Sequence, residues 1–183
     1  MGEHDENALW DRTNGMSERA ANGRTIKARE PADIPADGLF FAYLAMLPLV
    51  AGALALFLLP DNWAFLTLNF TLLWGASILT FLSGVRRGVS FRQPGGPKVT
   101  QLAIMLFLFV TGFAAVLCVV WAYPLYSVAL QLLGFLALAV LDPISARRGT
   151  APLYFARLRP VQMLLPLVSL LVVGYWIWTS PFF

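Results

Sequence analysis

Five stretches of this chain, residues 38–59, 65–85, 99–121, 125–141 and 161–179, contain no Lys, Arg, Asp, Glu or His. A hydrocarbon core about 30 Å thick needs about 20 apolar residues as a helix, and helices or closed barrels are the only backbones that lipid accepts. The runs are too continuous for the amphipathic helices of a soluble bundle, which alternate polar and apolar faces. At 58% hydrophobic composition, buried strands of a soluble protein are a poor account of five runs this long. The expected fold is therefore an all-α integral membrane protein with five transmembrane helices forming one domain over residues 38–183.

Orientation follows from the basic residues. Arg12, Arg19, Arg24, Lys27 and Arg29 precede the first run; Arg86, Arg87, Arg92 and Lys98 lie between the second and third; Arg147, Arg148, Arg157 and Arg159 lie between the fourth and fifth. The other two connections have none, so the positive-inside rule predicts a cytoplasmic N-terminus and a C-terminus outside, on the periplasmic side. Trp63, Trp121, Trp176 and Trp178 all map to the predicted outer boundary, where an amphipathic indole is favoured, whereas Trp74 lies within the second run. The net charge of +3 does not indicate nucleic-acid binding, because these residues flank spans and no stacking motif accompanies them. Contact with anionic membrane lipids explains them better.

Residues 1–37 are different material, with eight acidic residues set against five basic ones and almost no branched apolar side chains. A disordered cytoplasmic tail, or one ordered only by a partner, is expected. Its acidic start is unlike a mitochondrial presequence, and no short apolar region precedes a small-residue cleavage site.

The residues restrict the chemistry. The only histidine, His4, is in the tail, so no helix pair offers axial haem ligands, and the only cysteine, Cys118, cannot form a disulfide within the chain or hold a cluster. No cofactor, metal site or catalytic residue is expected. No carboxylate or basic residue lies inside the five runs, whereas ion-coupled carriers usually need one at depth. The span serines and threonines have no histidine or lysine to activate them, and interhelical hydrogen bonding is their ordinary role.

Two segments stand out. The first, Ser77-Ile-Leu-Thr-Phe-Leu-Ser-Gly-Val-Arg-Arg-Gly, places Ser77, Gly84 and Gly88 on nearly one helical face, open to close approach by a neighbouring helix. Arg86 and Arg87 follow at the boundary. Asp142 ends the fourth run at the same depth, so an ion pair from Asp142 to Arg86 or Arg87 would clamp spans two and four. The alternative is that Asp142-Pro143 only terminates the helix. The second segment, Ala151-Pro-Leu-Tyr-Phe-Ala-Arg-Leu-Arg-Pro, suits a short interfacial helix whose Arg157 and Arg159 meet phosphates. Arg86, Arg87, Asp142, Arg157 and Arg159 together form the candidate lipid, partner or structural cluster. Pro48 and Pro166 would kink the first and fifth spans.

These motifs together, over roughly residues 38–180, resemble an uncharacterised membrane family that includes the mitochondrial transmembrane protein 69. The chain departs from that pattern at Arg87, where an aromatic residue is usual, and at Leu153-Tyr154, in place of a Trp-Tyr pair. The resemblance implies a bacterial inner membrane or, by descent, a mitochondrial one, and it brings no established activity.

Three roles fit. The first is a non-catalytic accessory or assembly factor of a larger membrane complex, such as a respiratory one, engaged through the small-residue face and the tail. The second is a lipid- or small-molecule-binding protein using the arginine cluster. The third is a small permease with a neutral polar path through Asn69, Thr71, Thr111 and Gln131.

Overall fold

Residues 36–91, 98–148 and 154–181 are described by the computed structural model, and among them every regular element is an α-helix. The helices are α1 (Ala36–Leu44), α2 (Leu47–Ala55), α3 (Asp61–Ser90), α4 (Val99–Val120), α5 (Pro124–Arg147) and α6 (Phe155–Thr179). Together α1 and α2 make one span, Gly38–Ala55, and α3 to α6 make one each, so five helical stretches are long and apolar enough to cross a membrane. The expectations for residues 1–35 lie outside the described residues.

The first span breaks at Ala45 and Met46, one turn before the position that Pro48 alone suggests. Pro48 has no N–H for the Leu44 carbonyl, and its ring crowds that carbonyl, so it is tolerated only in the first turn of a new helix, α2. Tightening at the break turns the Met46 N–H to the Tyr43 carbonyl (2.9 Å) and the Leu49 N–H to the Met46 carbonyl (3.1 Å). The carbonyls of Ala42 and Ala45 lose their usual partners, and two side chains replace them. Gln162 Nε2 of α6 donates to Ala42 O and Trp74 Nε1 of α3 donates to Ala45 O, each at 2.9 Å. In lipid an unpaired carbonyl costs several kcal/mol, so these two side chains are what permits the break.

Three other boundaries differ from expectation. α3 runs five residues past 85 to Ser90, and α5 continues through Asp142-Pro143 to Arg147 instead of ending there. α6 starts at Phe155 and absorbs the end of the segment expected to lie along the interface; residues 151–153 of that segment are not described. Pro160 and Pro166 both lie within α6.

The spans close into a ring, α2 to α3 to α4 to α5 to α6 and back to α2, and α3 also touches α5 across the middle. Small residues set the close approaches. A Cβ on Gly52 of α2 would fall 2.0 Å from Thr71 Oγ1 of α3, and one on Gly112 of α4 would fall 3.2 Å from the Ala76 carbonyl. Packing of this kind substitutes for the hydrophobic drive that helices lack in lipid. The arginine-bearing ends, the C-termini of α3 and α5 and the N-terminus of α6, meet at one end of the bundle. Trp63, Trp121 and Trp178 are exposed near the span ends furthest from those arginines.

Candidate functional site

α5 buries one side of itself through Ser127, Gln131, Gly134, Leu138 and Asp142, spaced three or four residues apart. Asp142, only 1% exposed, thereby points between α3 and α6. Arg86 Nη1 of α3 pairs with its Oδ1, and Arg86 Nη2 donates to Ser145 Oγ at 3.1 Å. On the other side Arg159 Nε of α6 stands 3.1 Å from Asp142 Oδ2, at an ion-pair distance but outside hydrogen-bond geometry. Arg159 is itself only 6% exposed. Its Nη1 donates to Gln162 Oε1 at 3.3 Å, and its guanidinium lies 4.5 Å from the centre of the Phe155 ring, a cation–π contact. One carboxylate thus holds two arginines and ties three spans together.

The five residues of the sequence-derived cluster divide. Arg86, Asp142 and Arg159 come together; Arg87 instead lies 4.3 Å from the Phe91 ring, and Arg157 is exposed. On the small-residue face, Ser77 donates to its own helix at Leu73 O (2.8 Å), and Gly84 and Gly88 have open space around them. Close approach between helices occurs at other glycines. Thr71 and Gln131, two of the residues of the neutral polar path, are buried against neighbouring helices. Thr71 Oγ1 donates to Thr67 O at 2.6 Å, and Gln131 Nε2 to Leu72 O at 2.9 Å.

Beside the triad, a groove of about 430 Å³ lies between α1, α3 and α6. Met46, Ile78 and Leu82 form its floor, Phe41, Ser77 and Phe81 its exposed rim, and Arg159 and Gln162 its polar end. Along α3 it runs from Trp74 to Val85, about 16 Å at the helical rise of 1.5 Å per residue. That is about half of a 30 Å hydrocarbon core, the depth of one leaflet. The break in the first span contributes to this wall, because Ala42, Ala45 and Met46 all line it. Sequence reasoning passed over Trp74 and Gln162 as a tryptophan inside a span and an unremarked glutamine. The signal was Pro48: a broken span inside lipid requires polar side chains from its neighbours.

Among the described residues no group of three or more His, Cys, Asp or Glu comes together as a metal site. The family model described as "Protein of unknown function (DUF3429)" matches residues 34–175, most of the chain, and the chain belongs to that family. No curated protein and no solved structure matches it.

Proposed function

We propose that this DUF3429 protein is a non-catalytic membrane protein that binds a lipid-like amphiphile in the groove between α1, α3 and α6. The observation that carries the reading is the juxtaposition of an apolar channel one leaflet deep with a buried arginine at its end. Its volume falls in the range of small-molecule sites, which are mostly apolar with a few fixed polar groups. A hydrocarbon tail would lie along Ile78 and Leu82 while the polar end of the molecule meets Arg159 and Gln162. In the same reading the arginine-bearing end faces the cytoplasm, by the distribution of basic residues, and the resemblance to the family of mitochondrial transmembrane protein 69 supports a bacterial inner membrane.

Purification in membrane discs that retain native lipid, followed by mass spectrometry after a delipidating wash, tests the proposal. The wild type should keep about one lipid per chain, and Ser77→Phe, which fills the groove from its exposed rim, should lose it. Equal retention by both, or none by either, would overturn the reading.

A second reading has its own observation. Gly84 and Gly88 continue the face of α3 beyond Ser77 and meet nothing within 4 Å, which leaves room for a partner's helix, as an accessory or assembly factor would need. Gly88→Leu should then release a co-purifying membrane protein without affecting retained lipid.

A further inference from the structure

The triad does not balance its charge. Asp142 carries one negative charge, Arg86 and Arg159 carry one positive charge each, and all three side chains are largely withdrawn from solvent, at 2%, 11% and 8% exposure. Two guanidinium groups on one carboxylate leave an excess of one positive charge. An uncompensated charge withdrawn from water is expensive, and such charges are found paired or facing a water-filled cavity. Among the residues whose side chains are described the only other acidic one is Asp61, which begins α3 at the far end of the bundle.

The excess is available at one place. Arg86 turns both of its terminal nitrogens to α5, to Asp142 and Ser145. Arg159 faces Asp142 with Nε at ion-pair distance but outside hydrogen-bond geometry and donates Nη1 to Gln162, and no hydrogen bond to a described residue uses its Nη2. Arg159 is also the triad member that lines the groove. The Nη2 N–H groups of a guanidinium can donate to a phosphate oxygen, and Phe155 packs against this one at 4.5 Å.

We infer that the groove selects an anionic phospholipid, its phosphate on Arg159 and one acyl chain along α3, from the leaflet on the arginine-bearing side. This inference rests on the amphiphile reading above and adds the charge of the ligand. A zwitterionic lipid brings its own cation beside the phosphate and leaves the excess charge uncompensated, whereas phosphatidylglycerol neutralises it. The 16 Å between Trp74 and Val85 matches one leaflet, and the exposed rim at Phe41 and Phe81 admits the chain sideways from the bilayer.

The experiment is a binding titration of the delipidated full chain by native mass spectrometry, with phosphatidylglycerol and phosphatidylcholine of identical chains. Both lipids offer Arg159 the same phosphate, but only phosphatidylglycerol offsets the excess charge, which gives the wild type a preference of roughly tenfold or more for it. Arg159→Gln should reduce that ratio to about one while still taking up phosphatidylcholine. Arg159→Lys, which keeps the charge, should retain part of the preference, and Arg157→Gln, on an exposed neighbour, should leave it unchanged. A wild type that binds both lipids equally overturns the inference and leaves the groove reading standing. If Asp33→Asn or Asp37→Asn then creates the preference, the chain supplies its own counter-charge. Full preference in Arg159→Gln also overturns it and assigns the selectivity to surface arginines. If neither lipid binds, the groove reading itself fails.

Discussion

Gln131 and Asp142 lie on one stripe of α5, about 16 Å apart along its axis, and they solve the problem of a polar group in a membrane in opposite ways. Gln131 is neutral and fully buried, and its amide nitrogen closes on its own chain, Nε2 donating to the Leu72 carbonyl at 2.9 Å and to Ser127 Oγ at 3.1 Å, while its Oε1 has no hydrogen-bond partner among the described residues. Nothing from outside the bundle reaches it. Asp142 is charged and holds two arginines, one of which, Arg159, lines a groove that opens on the bundle surface. The first contact fixes how α3 and α5 meet. The second also fixes packing, but it leaves a charge over, which the proposed lipid would offset.

The largest effect should come from breaking the charged member. Asp142→Leu leaves two arginines facing each other across α5, and removing one partner of a buried ion pair typically destabilises by about 3–5 kcal/mol. Reversible unfolding in mixed micelles should show a loss of that order. The swap of Arg86→Asp with Asp142→Arg should recover part of it, and a swap no more stable than Arg86→Asp alone would mean that Arg86 and Asp142 do not pair directly.

An intermediate effect belongs to the glycine that lets Gln131 fit. A Cβ on Gly75 would fall 2.2 Å from Gln131 Oε1 and 3.1 Å from Leu49 Cδ2. Gly75→Ala should therefore displace the amide from its bonds and destabilise by about 1–3 kcal/mol, the usual range for overpacking. Gly84→Ala, into open space on the same helix, should be neutral or stabilising, because alanine is the better helix former. Equal losses at the two positions would show that the Gly75 contact does not determine the packing.

The two polar groups also explain what could be read in advance. The number of spans was legible because lipid imposes a length, and Asp142 could be linked to Arg86 or Arg87, though not to one of the two, because isolated charges at one depth have few alternatives. The inward faces were harder to read. In a soluble bundle the apolar stripe marks the core, but here exposed Phe107, Phe109 and Phe113 of α4 are as apolar as buried Leu108, so hydrophobicity does not distinguish inside from outside. Polar residues mark the interior instead: Ser127, Gln131 and Asp142 on α5, and Arg159, Gln162 and Ser169 on α6, are all buried. Small residues were ambiguous for the same reason, since Gly75 and Gly84 look alike in sequence and differ only in what faces them. Arg159 could not be distinguished from Arg157 until α6 extended back to Phe155, and the groove depended on a break displaced from Pro48 by a turn.

The smallest effect should come from the neutral member, and it tests the comparison most directly. Gln131→Met keeps the length and flexibility of the side chain and removes both hydrogen bonds. The Leu72 carbonyl lies within α3 and keeps its place in the helical ladder, and Ser127 can turn its hydroxyl to its own helix. Interhelical hydrogen bonds in membrane proteins are worth about 0.6 kcal/mol on average, so the loss should be of that size. The preference for phosphatidylglycerol should not move, because Gln131 lies outside the lining of the groove. If Gln131→Met instead costs as much as Asp142→Leu, or alters lipid selectivity, the two groups belong to one network along α5, and the division between a closed packing contact and an open charged one is wrong.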